Sequence, residues 1–298
     1  MAALPTESKL LQAVEDAGWL LEHHAVRTLE AADMHPRAAW AFQDPDDPTV
    51  SRELDVWSYR QLLVDEKNRV YVTVRFLVEC KQSSNPYVGV GYDLSESRFK
   101  KTNPAEHLLP RPSVKEPIDA EGSYRVVPAW PHFGFNELER QHGGSNFRVT
   151  QLTRLDRGKG GAWSANNSGI FTSLVYPLAK ALRAAQQHRG SQPAGVGGAV
   201  NRVGWCDFGL YFPVVLISCP LYVVHAGDAE PVVEQRRWVT ATRELKSENI
   251  QGTFDIDVVT QDAFPDYIAD RLSFATAFAD IIRDDPLKFT GEDHPPRG

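Results

Sequence analysis

Apolar residues recur at spacings of three and four from Glu7 to about Met34, at Leu10, Leu11, Val14, Trp19, Leu21, Ala25, Val26 and Leu29. That period predicts helix, and Gly18 divides it into two. Pro36 ends the run, and Ala38 to Phe42 predicts a first strand. Asp44-Pro-Asp-Asp-Pro48 is turn chemistry, and Arg52 to Tyr59 predicts the second strand. After the polar turn Asp65-Glu-Lys-Asn68, a third strand runs from Val70 to Lys81. Its alternation sets Val70, Val72, Val74, Phe76, Val78 and Cys80 on one face and Tyr71, Thr73, Arg75, Leu77, Glu79 and Lys81 on the other. A helix followed by an antiparallel meander is the expected opening of the fold.

From Gln82 to about Trp163 the pattern dissolves into Pro, Gly, Ser and Asn, with short apolar pieces such as Tyr124 to Val127. A bare loop of that length does not suit a compact domain, so residues 83–163 are expected to form an insertion or subdomain. A helix is predicted from Ile170 to His188, with a flexible connection from Gly190 to Gly198. Strands follow at Tyr211 to Ser218, Leu221 to His225 and Arg237 to Leu245, although Pro213 weakens the first. A last amphipathic helix spans about Pro265 to Arg283, and the chain from about residue 285 is expected to be a flexible tail. The expected class is α/β, an α+β mixed sheet in one domain over residues 1–298.

Composition narrows the function classes. With 42% hydrophobic and 24% charged residues, the chain has the make-up of a globular protein rather than a disordered one. No apolar stretch approaches the roughly 20 residues of a membrane span. Met1 to Lys9 lacks the organisation of a signal peptide. Cys80, Cys206 and Cys219 are widely spaced in apolar runs, which predicts buried thiols in a reducing cytoplasm rather than disulfides or a zinc site. The formal net charge of −7 argues against a generic nucleic-acid coat. It leaves room for basic patches confined to one face and for acidic residues gathered to hold a metal.

The chemistry concentrates where the third strand leaves the core. Glu79 and Lys81 project side by side, so a carboxylate for a hard cation stands beside an ammonium that can orient water or face a phosphate. Phosphodiester hydrolysis needs further acidic ligands. Asp55, in Glu53-Leu-Asp-Val-Trp57, lies on the strand paired with the third, and Glu22 on the preceding helix could close the site.

A helix carrying Glu22, a strand carrying Asp55 and an apolar strand ending Glu79-Cys-Lys81 resemble the PD-(D/E)xK nuclease superfamily, the restriction-endonuclease-like fold. The helix at Ile170 and the strand at Tyr211 would extend the αβββαβ core of that fold. The resemblance implies that Asp55, Glu79 and the Cys80 carbonyl hold Mg²⁺ or Mn²⁺. It further implies that Lys81 is the catalytic lysine, Glu22 an auxiliary acid and metal ligand, and Gln82 a further polar member. It covers about Trp19 to Gln82 closely and Ile170 to Ser218 loosely. No Pro precedes Asp55, and the segment between Lys81 and the next helix is longer than the pattern expects.

Glu-x-Lys alone is weak, since Glu7-Ser-Lys9 and Glu244-Leu-Lys246 also occur. Only Glu79-Cys-Lys81 has an apolar strand beneath it and Asp55 on the strand before. Arg154, Arg157 and Lys159 in a glycine-bearing loop are candidate phosphate contacts, as are Arg98, Lys100 and Lys101. His23 and His24 diverge on a helix and read as surface residues, with His23 a neighbour of the site. Trp130-Pro-His-Phe-Gly-Phe135 is aromatic enough to stack on bases, with core packing the default. The expectation is a cytoplasmic nuclease acting on nucleic acid, DNA before RNA, in restriction, repair or defence. A homodimer or a targeting partner protein is compatible with it. The alternative is an inactive nuclease-like binding module.

Overall fold

The computed structural model describes residues 4–95, 102–119, 122–187, 205–227 and 230–290. Two helices open the chain, α1 (Glu7–Asp16) and α2 (Trp19–Ala31). Gly18 separates them with φ +83, a left-handed conformation that glycine adopts without the Cβ penalty. Helix α1 buries no residue, whereas α2 turns Leu21, Ala25 and Leu29 inward. Strands β1 (His35–Gln43), β2 (Ser51–Asp65) and β3 (Val70–Lys81) form the expected antiparallel meander. The β2–β3 turn is tied by Asp65, which accepts from the Asn68 backbone amide at 2.9 Å and from its side-chain amide at 2.6 Å.

The segment 83–163 is more regular than its sequence suggests. It holds β4 (Tyr87–Asp93), a separate hairpin of β5 (Ser113–Pro117) and β6 (Tyr124–Pro128), and short helices α3 (Ala129–His132) and α4 (Phe135–Gln141). It continues with β7 (Phe147–Arg157) and β8 (Trp163–Asn166), which join β4 in the main sheet. Glycine hides β4 from a pattern reading and also explains its pairing. A Cβ on Gly89 would lie 2.7 Å from Val149 Cγ2, and one on Gly91 would lie 2.1 Å from the Arg148 carbonyl oxygen.

The expected helix at Ile170 begins as a π-helical turn (Phe171–Val175) and continues as α5 (Tyr176–Gln187). The connection predicted at Gly190 to Gly198 lies outside the described residues. Strand β9 (Cys206–Ile217) runs parallel to β3, in register from Val70 opposite Cys206 to Lys81 opposite Ile217. Pro213 sits within this central strand at no cost to that ladder. Backbone groups of Gly209 and the amide of Tyr211 bond away from β3, to Leu108 and His107. Pro213 shares their parity, so its missing N–H faces the far edge, where pairing to the next strand begins only at Val214.

Strands β10 (Leu221–His225), β11 (Val232–Arg236), β12 (Trp238–Lys246) and β13 (Gln251–Thr260) complete the sheet. The order is β1-β2-β3-β9-β13-β12-β7-β4-β10-β11, with β8 beside β7, and the class is the mixed α+β expected. Helix α6 (Phe264–Asp284) packs with α2 on the face carrying Val72, Val74, Phe76 and Val78, while α5 covers Leu77, Tyr211 and Val215 on the other. This part of the sheet is therefore buried between helical layers, which is why ten of the twelve residues of β3 are buried.

The predicted flexible tail needs correction. Residues Pro286–Thr290 form α7, because Phe289 inserts against Phe133 and Phe135 at ring distances of 4.8 and 5.8 Å. Residues 291–298 lie outside the description. All three cysteines are free, Cys80 and Cys219 buried and Cys206 partly exposed. Among the described residues, no helix is long and apolar enough to cross a membrane.

Candidate active site at the end of β3

Strand β3 is buried along its length except at Glu79 and Lys81, which are half-buried where it leaves the core. Their shared face brings the Lys81 ammonium within 2.7 Å of Glu79 Oε1. The β2–β3 ladder closes at Val56 opposite Val78, and beyond that pair the strands part. The Asp55 carboxylate fills the opening, where Oδ2 accepts a 2.6 Å hydrogen bond from the backbone amide of Cys80. In a strand, the N–H and C=O of one residue point to the same edge. The Cys80 carbonyl therefore faces this opening too, while the Lys81 carbonyl faces β9 and accepts from the Ser218 amide.

The acids in and around the opening feel one another. Burial raises the Asp55 carboxyl above its ordinary range, against the Cys80 amide bond and the Lys81 charge, which hold it down. Glu79 is raised by burial and next by the charge of Asp55, with Lys81 opposing. Glu22, in the first turn of α2, is raised by burial, then by Asp55 and Glu53. Burial also raises the Cys80 thiol, as do the charges of Asp55, Glu22 and Glu79, so it is a neutral buried group. Crowded, partly desolvated carboxylates of this kind favour an added cation.

The structure thus gathers Glu22, Asp55, Glu79 and Lys81 in one electrostatic neighbourhood. Asp55 acts on Glu79 more strongly than Glu22 does. Gln82 is exposed, and its Cβ lies 3.5 Å from where a side chain on Gly18 would begin, so it sits at the N-terminal end of α2. His23 is exposed on α2 one residue from Glu22, and His24 approaches Thr28 instead.

The donor set is hard oxygen, with two carboxylates and a backbone carbonyl at one opening and a third carboxylate on the helix above. That chemistry fits Mg²⁺ or Mn²⁺ and does not fit a soft metal. Among the described residues, no three His, Cys, Asp or Glu side chains stand already gathered as a metal site.

The basic residues predicted to lie in a loop are placed differently. Arg154 and Arg157 belong to β7, and Lys159 occupies the turn to β8. This hairpin docks on the chain that leaves the site. Tyr87 pairs with Arg154, the Leu155 amide donates to the Pro86 carbonyl at 3.0 Å, and Asn85 Nδ2 donates to Asp156 at 3.2 Å. Arg154 Nε is held by Asp156 at 3.0 Å, whereas the Arg157 guanidinium lies 5.9 Å from the Trp163 ring. Trp130 and Phe135 are fully buried and pack on Phe278, so the aromatic motif is core. Arg98, Lys100 and Lys101 lie outside the described residues.

One further acid acts on the site, and one buried ion pair lies apart from it. Glu53 stands two residues before Asp55, and its charge raises both Asp55 and Glu22. Strand parity alone would have placed it there. Farther along the β1–β2 turn, buried Asp44 accepts from Lys180 of α5 at 2.8 Å on each oxygen. No spacing signals that pair, because 136 residues separate its members. No protein-family model, curated protein or solved structure matches this chain.

Proposed function

We propose that this chain is a Mg²⁺- or Mn²⁺-dependent phosphodiesterase acting on nucleic acid, and that it is a divergent member of the PD-(D/E)xK nuclease superfamily. One observation carries the reading. Asp55 lies in the opening of the β2–β3 ladder and Glu79 and Lys81 at the strand end beside it, with Glu22 close enough to raise Glu79 and to be raised by Asp55. With β4 to β8, α3 and α4 set aside as an insertion, the remaining order also supports it: a helix, three antiparallel strands, α5, and β9 parallel to β3.

In this reading Asp55, Glu79 and the Cys80 carbonyl hold the cation, with Glu22 as an outer acid. When bound, the metal supplies Lewis acidity toward the phosphate and lowers the pKa of water. Lys81 contributes a positive charge beside the phosphate and, released from Glu79, a donor that orients the attacking water. Gln82 adds a neutral hydrogen-bonding group at the rim. Free cysteines agree with a reducing, cytoplasmic setting.

The test is a cleavage panel of labelled single- and double-stranded DNA and RNA with Mn²⁺, Mg²⁺ or EDTA. Cleavage in Mn²⁺ that disappears in EDTA and in Asp55→Asn supports the reading. Absence of cleavage on every substrate, with no metal uptake, removes it.

A second reading, a binding module without turnover, is favoured by the 2.7 Å Lys81–Glu79 ion pair, which engages both groups with each other. It predicts nucleic-acid affinity unaffected by Asp55→Asn and no cleavage with any metal.

A further inference from the structure

Two tryptophans are mostly exposed among the described residues, Trp19 at 62% and Trp163 at 53%. Trp19 stands beside the candidate site, and Trp163 stands on the hairpin fastened to the chain that leaves it. Trp19 opens α2 three residues before Glu22, a spacing that places the two side chains on one helix face. The preceding Gly18 abuts Gln82, so the indole belongs to the rim of the β3 terminus. Trp163 pairs with Arg157 across the β7–β8 hairpin, and that hairpin is fastened to Asn85, Pro86 and Tyr87. From the Tyr87–Arg154 pair, moving forward along β7 is moving back along the chain toward Gln82. The Arg157–Trp163 pair therefore lies on the site side of that anchor.

We propose that Trp19 and Trp163 stack on unpaired bases, so that the strand received by this site is single-stranded. The inference deepens the nuclease reading and rests on it for what happens at the carboxylates. Large exposed indoles are unfavourable in water without a partner, and every nucleobase offers a flat face to meet them. In a duplex those faces are hidden between neighbouring pairs. A duplex-binding surface instead draws most of its affinity from phosphate contacts, which a chain of net charge −7 is poorly equipped to supply broadly.

Local charge fits a single strand. The Arg157 guanidinium lies 5.9 Å from the Trp163 ring with Lys159 in the adjoining turn, placing cations for the backbone beside a ring for the base. The charge of the neighbouring Asp156 is offset by the Arg154 guanidinium and its other oxygen accepts a hydrogen bond from Asn166, so it does not repel an incoming phosphate strongly. Trp19 sits in the more acidic setting of Glu22, where stacking rather than charge must provide attraction until a cation binds.

The experiment measures binding in EDTA, which separates it from turnover. A fluorescent oligothymidine and a duplex of the same length are titrated into wild type, Trp19→Ala, Trp163→Ala and Trp163→Phe, each checked for an unchanged melting temperature. The single strand is expected to bind at least about tenfold more tightly than the duplex. Each alanine variant is expected to lose about fivefold or more, and Trp163→Phe to recover most of that loss. Equal or tighter binding of duplex, or alanine variants that bind the single strand as wild type does, overturns the proposal. A parallel Mn²⁺ cleavage assay distinguishes the two ideas. Single-strand binding without cleavage of any substrate removes the nuclease reading and leaves the stacking surface. Duplex cleavage with wild-type duplex binding in the tryptophan variants does the opposite.

Discussion

The backbone amide of Cys80 donates a 2.6 Å hydrogen bond to Oδ2 of Asp55, a residue 25 positions earlier. Where β2 and β3 part, this bond replaces the lost ladder partner and fixes one carboxylate in the opening. Asp55 therefore has a structural duty as well as a chemical one. Asp55→Asn keeps a carbonyl oxygen for the amide and removes the charge. It is expected to fold normally and lose metal binding. Asp55→Ala leaves the amide unpaired and is expected to cost about 1–3 kcal/mol in chemical denaturation. Equal stability of the two variants would mean that the Cys80 bond does no structural duty.

The raised carboxyls of Asp55, Glu79 and Glu22 set a pH dependence for metal uptake. Protons compete with the cation, so Mn²⁺ affinity measured by calorimetry should fall as pH drops, starting above the ordinary carboxylate range. A pH-independent affinity between neutrality and about pH 5 would contradict this coupling.

The same shifts act on stability with the opposite sign to a salt-bridged acid. A carboxyl whose native pKa is raised binds its proton more tightly when folded, so its contribution is present below the unfolded value. That contribution is lost as pH rises through the raised native value. The metal-free Glu79→Gln variant should therefore gain stability relative to wild type between about pH 4 and pH 7. Thermal unfolding of both proteins across that range measures it, and a constant difference would argue against burial and crowding as the cause.

Much of this site could be read from the chain. The alternation in Val70–Lys81 placed Glu79 and Lys81 together, and the apolar period around Trp19–Leu29 placed Glu22 on a helix that packs nearby. The opening at Asp55 was not legible, because where a ladder stops depends on pairing energies along both strands. Strand β4 was missed because Gly89 and Gly91 serve close approach to β7 instead of hydrophobic burial. Strand β13 alternates apolar Phe254, Ile256 and Val258 with Asp255 and Asp257, and the sequence reading assigns no element there. Those acids are satisfied across the sheet by Thr242 and Thr240, each at 2.6 Å, a partnership that only the fold supplies.

The buried Lys180–Asp44 pair clamps α5 to the β1–β2 turn, with Asp46 a further 3.0 Å partner of the ammonium. Its hydrogen bonds to Lys180 and Arg52 outweigh burial and hold the Asp44 carboxyl down at about 2. The stabilisation is therefore present above the ordinary Asp value and is lost as pH falls from there toward 2. Lys180→Met leaves Asp44 buried without its ammonium and is expected to destabilise by about 3–5 kcal/mol. Urea unfolding near neutral pH checks this; a change under about 1 kcal/mol would show the turn to be held by other contacts.

Lys81 bears most directly on the central claim, because its ammonium is half-exposed and its removal need not disturb the core. Mn²⁺-dependent cleavage of labelled single- and double-stranded DNA and RNA should be compared between wild type and Lys81→Ala, with Mn²⁺ affinity measured on the same preparations. The account predicts cleavage by wild type and a loss of about 100-fold or more in Lys81→Ala, with metal still bound. Cleavage by Lys81→Ala at the wild-type rate would contradict the assignment of this site.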